Sequence, residues 1–149
     1  MRRANAQRQL DRRAEILKAA ERCFVRSGFH QTSMHEICAE AGMSPGNLYR
    51  YFASKEAIIE GIAERDRAEV LSQLAAANFT DDFFGTFAAL ARHHVVERTA
   101  DDVGLCAEIM TESRRNSAVA RVFQSFDAEV KARLVGVLRE AAARGDIAK

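Results

Sequence analysis

Apolar residues recur along this chain at spacings of three and four, the mark of amphipathic helices rather than strands. Ile16, Leu17, Ala20 and Phe24 form one such stripe and predict a first helix from about Gln9 to Arg26. Ser27-Gly28 stops it, with Gly28 suited to the left-handed position that closes a helix. Ser33-Met34-His35-Glu36 has the spacing of a capping box and opens a short helix through about Glu40. Ala41-Gly42-Met43 is a tight break, where Gly42 is the residue that needs positive φ. Ser44-Pro45 restarts the chain as a cap followed by proline at the first helical position, and this helix ends near Tyr51-Phe52. Ser54 caps a long helix from Lys55 to about Ala77. Three more helices follow. One runs from about Asp81 to Thr99 with Phe83, Phe84, Phe87 and Leu90 inward. Another spans Val103 to Ser113 with Cys106, Ile109 and Met110 inward. The last runs from Ser117 to Arg144 on a stripe from Val119 through Val122, Phe123, Phe126, Val130, Leu134 and Val137 to Leu138, with Gly145 as its stop.

Composition agrees with an all-α fold. Apolar residues make up 48% of the 149, with one proline and no tryptophan. The net charge of +1 hides an asymmetry: residues 1–55 hold ten Lys/Arg against five Asp/Glu, and residues 56–149 hold twelve against sixteen. A basic front and an acidic rear point the front towards a polyanion. The cysteines Cys23, Cys38 and Cys106 are odd in number and not closely spaced, which argues against a disulfide framework and for the cytoplasm. No run of eighteen apolar residues exists, and Met1-Arg2-Arg3 is followed by no apolar stretch, so neither a membrane span nor a signal peptide is expected. The sequence carries no HExxH, no Gly-rich phosphate loop, no nucleophile elbow and no convincing carboxylate pair, so no enzyme activity and no cofactor are expected. His35 and Cys38 are three apart on a helix, but no further metal ligand lies in register, and Cys38 reads as a small buried residue.

Two short helices around a glycine-containing turn describe a helix-turn-helix. Ile37, Leu48 and Phe52 supply the apolar contacts that set the angle between them, Leu48 and Phe52 being four apart and on one face. The outward face of the second helix is then Ser44, Pro45, Gly46, Asn47, Arg50 and Tyr51. Its small first turn allows close approach to base edges, and Asn47 can pair with adenine through two hydrogen bonds. Arg50 can reach a guanine or a phosphate, and the hydroxyls of Tyr49 and Tyr51 can donate to phosphate. Lys55, in the first turn of the following helix, adds charge to free backbone N–H groups; Thr32 and Ser33 offer similar anion-binding chemistry at the start of the first short helix.

The stretch from Arg13 to Gly61 resembles the DNA-binding domain of the TetR/AcrR family of transcriptional regulators. Ile16 to Ala20, Phe24, Gly28-Phe29, Thr32-Ser33, Ile37, Ala41-Gly42, Leu48 to Phe52 and Ser54 to Glu56 carry the likeness, over about a third of the chain. The resemblance implies a homodimer on palindromic double-stranded operator DNA, usually a repressor, released by a small-molecule effector bound in a C-terminal domain. By position it assigns phosphate or base contacts to Thr32, Ser44, Gly46, Asn47, Tyr49, Tyr51 and Lys55, and an arm ahead of the first helix, here Arg2 and Arg3, that touches the adjacent groove in some members. The implied architecture is an N-terminal three-helix domain at residues 10–71, with its helix-turn-helix at about 33–52, joined by the long helix to a helical regulatory and dimerisation domain at 72–149. Family members usually continue for several more helices, so a C-terminal domain shortened relative to the family is expected after the seventh helix. Phe83, Phe87, His94, Met110, Phe123 and Phe126 are the candidate lining of an effector pocket, against the plainer reading that helical stripes are core. The alternative function is a helical interaction protein that has lost DNA binding.

Overall fold

The computed structural model describes residues 2–147, with side chains from residue 5 onward. Seven α-helices and no strand make up the described residues: α1 (Arg2–Ser27), α2 (Met34–Glu40), α3 (Pro45–Tyr49), α4 (Lys55–Ala76), α5 (Phe83–Ala91), α6 (Ala100–Ser113) and α7 (Ser117–Arg144). No helix among them is long and apolar enough to cross a membrane.

The ends of these helices follow local chemistry. Gly28, Gly42 and Gly145 take φ of +77°, +62° and +87°, as required after α1, in the turn after α2 and after α7. Ser33 and Glu36 form the reciprocal capping box of α2, and the Ser54 hydroxyl accepts from the Ala57 N–H at the start of α4. Asn116 caps α7 through the N–H groups of Ala118 and Val119.

Four expectations change. The first helix begins at Arg2, so Arg2 and Arg3 lie within α1 and not ahead of it; their side chains fall outside the described residues. The helix expected from Asp81 to Thr99 is broken: α5 ends at Ala91, passes into one π-helical turn at Arg92–Val96, and stops where the Glu97 N–H reaches back to Arg92 O at 3.0 Å. Thr99 then opens α6 three residues earlier than expected, through a second capping box with Asp102. An aspartate three residues after a threonine works like the glutamate version, because the carboxylate still reaches the cap N–H. Phe84 (67% exposed) and Met110 (50% exposed) point outward, not inward. Each sits one residue, about 100° around the helix, from a residue that faces the protein, Phe83 or Ile109.

Two clusters hold the fold. The larger gathers Ile16, Leu17, Ala20 and Phe24 of α1, Ile37 of α2, Leu48 of α3, Phe52, and Ile58, Ile59 and Ile62 of α4. Leu105 of α6 and Val119 of α7 belong to it as well, so the later helices complete the core beneath the helix-turn-helix. The smaller cluster joins Leu74, Phe79 and Phe83 to Val137 and Ala141 of α7. Helix α4 runs through both and packs most extensively against α7.

Candidate nucleic-acid interface

The turn between α2 and α3 is tied from both sides. Met43 N–H donates to Cys38 O at 3.1 Å, and the buried Cys38 thiol donates to Met43 O at 2.6 Å. Ser44, in extended conformation, lends its carbonyl to the N–H groups of Asn47 and Leu48, while its hydroxyl makes no capping bond. Helix α3 is therefore set down at a fixed angle, with Leu48 wholly buried and Phe52 3% exposed beneath it. Ser44, Pro45, Gly46, Tyr49 and Arg50 lie on its exposed side. A Cβ at Gly46 would meet nothing within 4 Å, so the first turn is open to an approaching molecule. Asn47 is half-buried, and its side-chain amide has no hydrogen bond among the described residues. Tyr49 is 54% exposed, whereas Tyr51 is half-buried and packs against the core.

The remaining candidates are committed elsewhere. Ser33 is exposed, but its hydroxyl accepts from Glu36 N–H at 3.1 Å and donates to the Glu36 carboxylate at 2.9 Å. That carboxylate, held below its usual pKa by the Ser33 N–H and hydroxyl, already fills the anion position at the start of α2. Lys55 is half-buried, with Nζ donating to Phe29 O at 2.6 Å and His30 O at 3.2 Å, and lies 4.6 Å over the Phe29 ring. The ammonium thus neutralises carbonyls of the α1–α2 turn, and one of its three donors remains for a phosphate.

Thr32 departs furthest from its expected place. It is 1% exposed, and its hydroxyl donates to Gly28 O at 2.8 Å and lies 3.1 Å from Cys23 O. The side chain closes the end of α1 and presents nothing to a ligand. Thr32→Val is expected to lower stability by about 1–2 kcal/mol, because buried carbonyls lose their donor, while Thr32→Ser stays near wild type. Urea midpoints of the two variants read this; a Thr32→Val chain as stable as wild type but weak on DNA would return the residue to the surface.

The basic front is also less free than its charge count suggests. Arg22 and Arg26 both pair with Glu40, at 2.7 and 3.2 Å, and Arg13 lies 4.5 Å over the Phe52 ring and 3.7 Å from Glu64. Arg50 has no ion pair among the described residues. Glu40 has no signature in sequence, since its partners come from another helix. The same is true of Glu108, whose carboxylate accepts the Phe29 N–H at 3.0 Å from 79 residues away.

A cavity of about 840 Å³ lies among α4, α5, α6 and α7. Phe87, His94, Phe123 and Phe126 of the expected pocket line it, together with Val70, Leu74, Leu90, Cys106, Ile109, Val122, Val130 and Leu134. Phe83 and Met110 do not: Phe83 is in the smaller core, stacked on Phe87 at 5.8 Å, and Met110 faces out. Polar groups gather along part of the wall. Arg65 bridges Glu21 and Asp66, which holds its pKa above the ordinary value. His94 Nε2 is buried with no hydrogen-bond partner among the described residues, and burial, then the neighbouring His93, pushes its pKa down. His94 is therefore neutral near pH 7, and its ring can accept or donate one hydrogen bond to a bound molecule.

Comparison with known proteins adds the following. The family described as bacterial regulatory proteins, tetR family, matches residues 16–62. The HTH-type transcriptional regulator UidR of Escherichia coli K12 is 32% identical over 139 residues, which cover 91% of this chain and 68% of that protein. The solved structure of Salmonella enterica GusR superposes with a TM-score of 0.84 at 35% identity, over 94% of this chain and 72% of that one. The flavonoid-responsive regulator FrrA gives a TM-score of 0.70 at 29% identity, over 90% of this chain and 69% of that one.

Proposed function

Because this chain belongs to the TetR family of bacterial transcriptional regulators, we propose that it represses by binding a palindromic operator as a homodimer and lets go when a small molecule enters the α4–α7 cavity. The DNA-binding unit is residues 10–71 and the regulatory unit residues 72–149. The observation that carries the reading is α3 itself: buried below on Leu48 and Phe52, small and open at its first turn, with the Asn47 amide unpaired among the described residues and Tyr49 exposed. Asn47 reads a base edge, Tyr49 and Arg50 hold the phosphate backbone, and Ser44, Pro45 and Gly46 let α3 come close. Tyr51 and Lys55 contribute at the margin; Ser33 and Thr32 shape the start of α2 without touching DNA. Free thiols at Cys23, Cys38 and Cys106 suit work in a reducing cytoplasm.

The cavity wall is largely apolar, with His94 and a charged edge at Arg65, Asp66 and Glu69. It fits an amphipathic effector whose apolar or aromatic body lies against Phe87, Phe123 and Phe126 and whose polar group meets His94. The naming of FrrA as flavonoid-responsive supports an aromatic effector in a related fold.

Selection of the bound duplex from random-sequence DNA tests the operator reading. Two inverted half-sites are expected in the recovered sequence. Asn47→Ala should erase preference at about one base pair in each half-site, a loss of roughly 1–3 kcal/mol in discrimination, and leave the other positions unchanged. Recovery of no sequence, or an Asn47→Ala logo identical to wild type, would overturn the assignment.

A further inference from the structure

Three helices meet at Phe29, the first residue after the glycine that ends α1. Its ring is 2% exposed and lies 5.2 Å from that of Phe24. Both of its backbone groups are held by charged side chains from distant elements: the N–H donates to Glu108 Oε2 of α6 at 3.0 Å, and the carbonyl accepts from Lys55 Nζ of α4 at 2.6 Å. A Cβ at Gly28 would stand 3.2 Å from the same Glu108 oxygen, so the carboxylate is seated directly on the turn. That turn decides where α2 begins, because Thr32 N–H and hydroxyl both return to Gly28 O and Ser33 caps α2 immediately after.

Helix α6 also forms a wall of the cavity, through Leu105, Cys106 and Ile109. Leu105 belongs to the core beneath the helix-turn-helix as well. Glu108 lies about 60° around the helix from Leu105 and 100° from Ile109, at 100° per residue. A molecule pressing on Cys106 and Ile109 therefore moves the rigid helix that carries Glu108, and a hydrogen bond at 3.0 Å does not survive a displacement of about an ångström. A buried N–H left without a partner is a strong penalty on the original position of the turn.

We propose that Glu108 is the positioning residue through which occupancy of the cavity reaches the helix-turn-helix: its carboxylate holds the Phe29 N–H, and displacement of α6 withdraws it. The proposal rests on the effector-release reading above and adds the contact that transmits it. Lys55 holds the carbonyl of the same residue from the first turn of α4, so the two side chains clamp Phe29 from different helices.

The test uses the full chain, the duplex it selects, and 1-anilinonaphthalene-8-sulfonate as an amphipathic probe of the cavity. Amide hydrogen exchange followed by NMR reports on Phe29 directly. Glu108→Ala should speed Phe29 exchange and weaken duplex binding, each by about tenfold. Glu108→Gln, whose amide oxygen still accepts, should stay within about threefold of wild type in both. Saturating probe should accelerate Phe29 exchange and release the duplex in wild type and Glu108→Gln, and add nothing in Glu108→Ala. If Glu108→Ala exchanges at Phe29 like wild type, or still answers the probe with a full loss of DNA affinity, Glu108 is not the coupling contact. If the probe does not bind, or binds equally well to a Leu134→Trp chain whose cavity is filled, the effector-release reading itself fails and the coupling falls with it.

Discussion

Leu48→Ala is expected to destabilise the protein by about 3 kcal/mol, with a fall in Tm of roughly 6–12 °C and no change in the denaturant m value. Leu48 is completely buried, and it is the one side chain of α3 that faces inward. Truncation removes three carbons from a packed site and leaves a cavity that the surrounding core, Ile37 of α2, Ile58 of α4 and Phe52 between α3 and α4, cannot close without moving the backbone. Against a total stability of about 5–15 kcal/mol, this is a large fraction. The functional loss should exceed the loss of folded protein. Helix α3 is only five residues long, too short to hold its position by its own hydrogen bonds, so its placement depends on this side chain together with the tied turn before it. Urea unfolding beside duplex binding at a temperature where the variant is still folded separates the two effects. A variant that unfolds earlier yet binds DNA at full affinity when folded would show that Leu48 stabilises without orienting α3.

Gly61→Val should cost a similar amount, about 3 kcal/mol, by the opposite route of overpacking. Gly61 sits within α4 where that helix crosses α1, and a Cβ there would stand 2.9 Å from Phe52 Cε1, 3.1 Å from Leu17 Cδ2 and 3.3 Å from a guanidinium nitrogen of Arg13. Two of those neighbours are core side chains with no free volume to move into. Phe52 also follows the end of α3 in the same core, so the displaced ring tilts the face proposed to meet DNA. Gly61→Ala is the sharper control. In an open helix that change gains about 1 kcal/mol of propensity; here the clash should outweigh the gain and leave the variant less stable than wild type. Thermal unfolding decides it, and a Gly61→Ala chain with a raised Tm would mean that α1 and α4 do not approach closely at this point.

Much of the helix-turn-helix was legible because its determinants are local. Gly28 and Gly42 occupy the left-handed positions foreseen for them, Ser33 and Glu36 cap one another, Pro45 opens α3, and Leu48 and Phe52 face the same interior. Each of these depends on residues no more than four apart. The region after residue 80 is less legible. A continuous apolar pattern from Asp81 to Thr99 does not reveal that the chain breaks after Val96, and the outward turn of Phe84 and Met110 is hidden because an apolar side chain by itself does not say which side of a helix finds a neighbour.

The chain's own pattern of spacing, caps and glycines determined that it is helical, where α1 stops, where α2, α3 and α4 begin, and which short helix is the candidate for DNA; the start of α1 at Arg2 and the end of α3 at Tyr49 were not legible in it. The tertiary structure alone decided what each polar side chain is free to do. Thr32 has the chemistry to bind phosphate, yet its hydroxyl is turned in on Gly28 and Cys23; Lys55 spends its charge on Phe29 and His30; Glu40 neutralises Arg22 and Arg26; Glu108 crosses from α6 to a turn 79 residues away. A residue's type fixes how many hydrogen bonds it can make, but the partner is chosen by whatever the fold brings within about 3 Å, and that neighbour is encoded elsewhere in the chain.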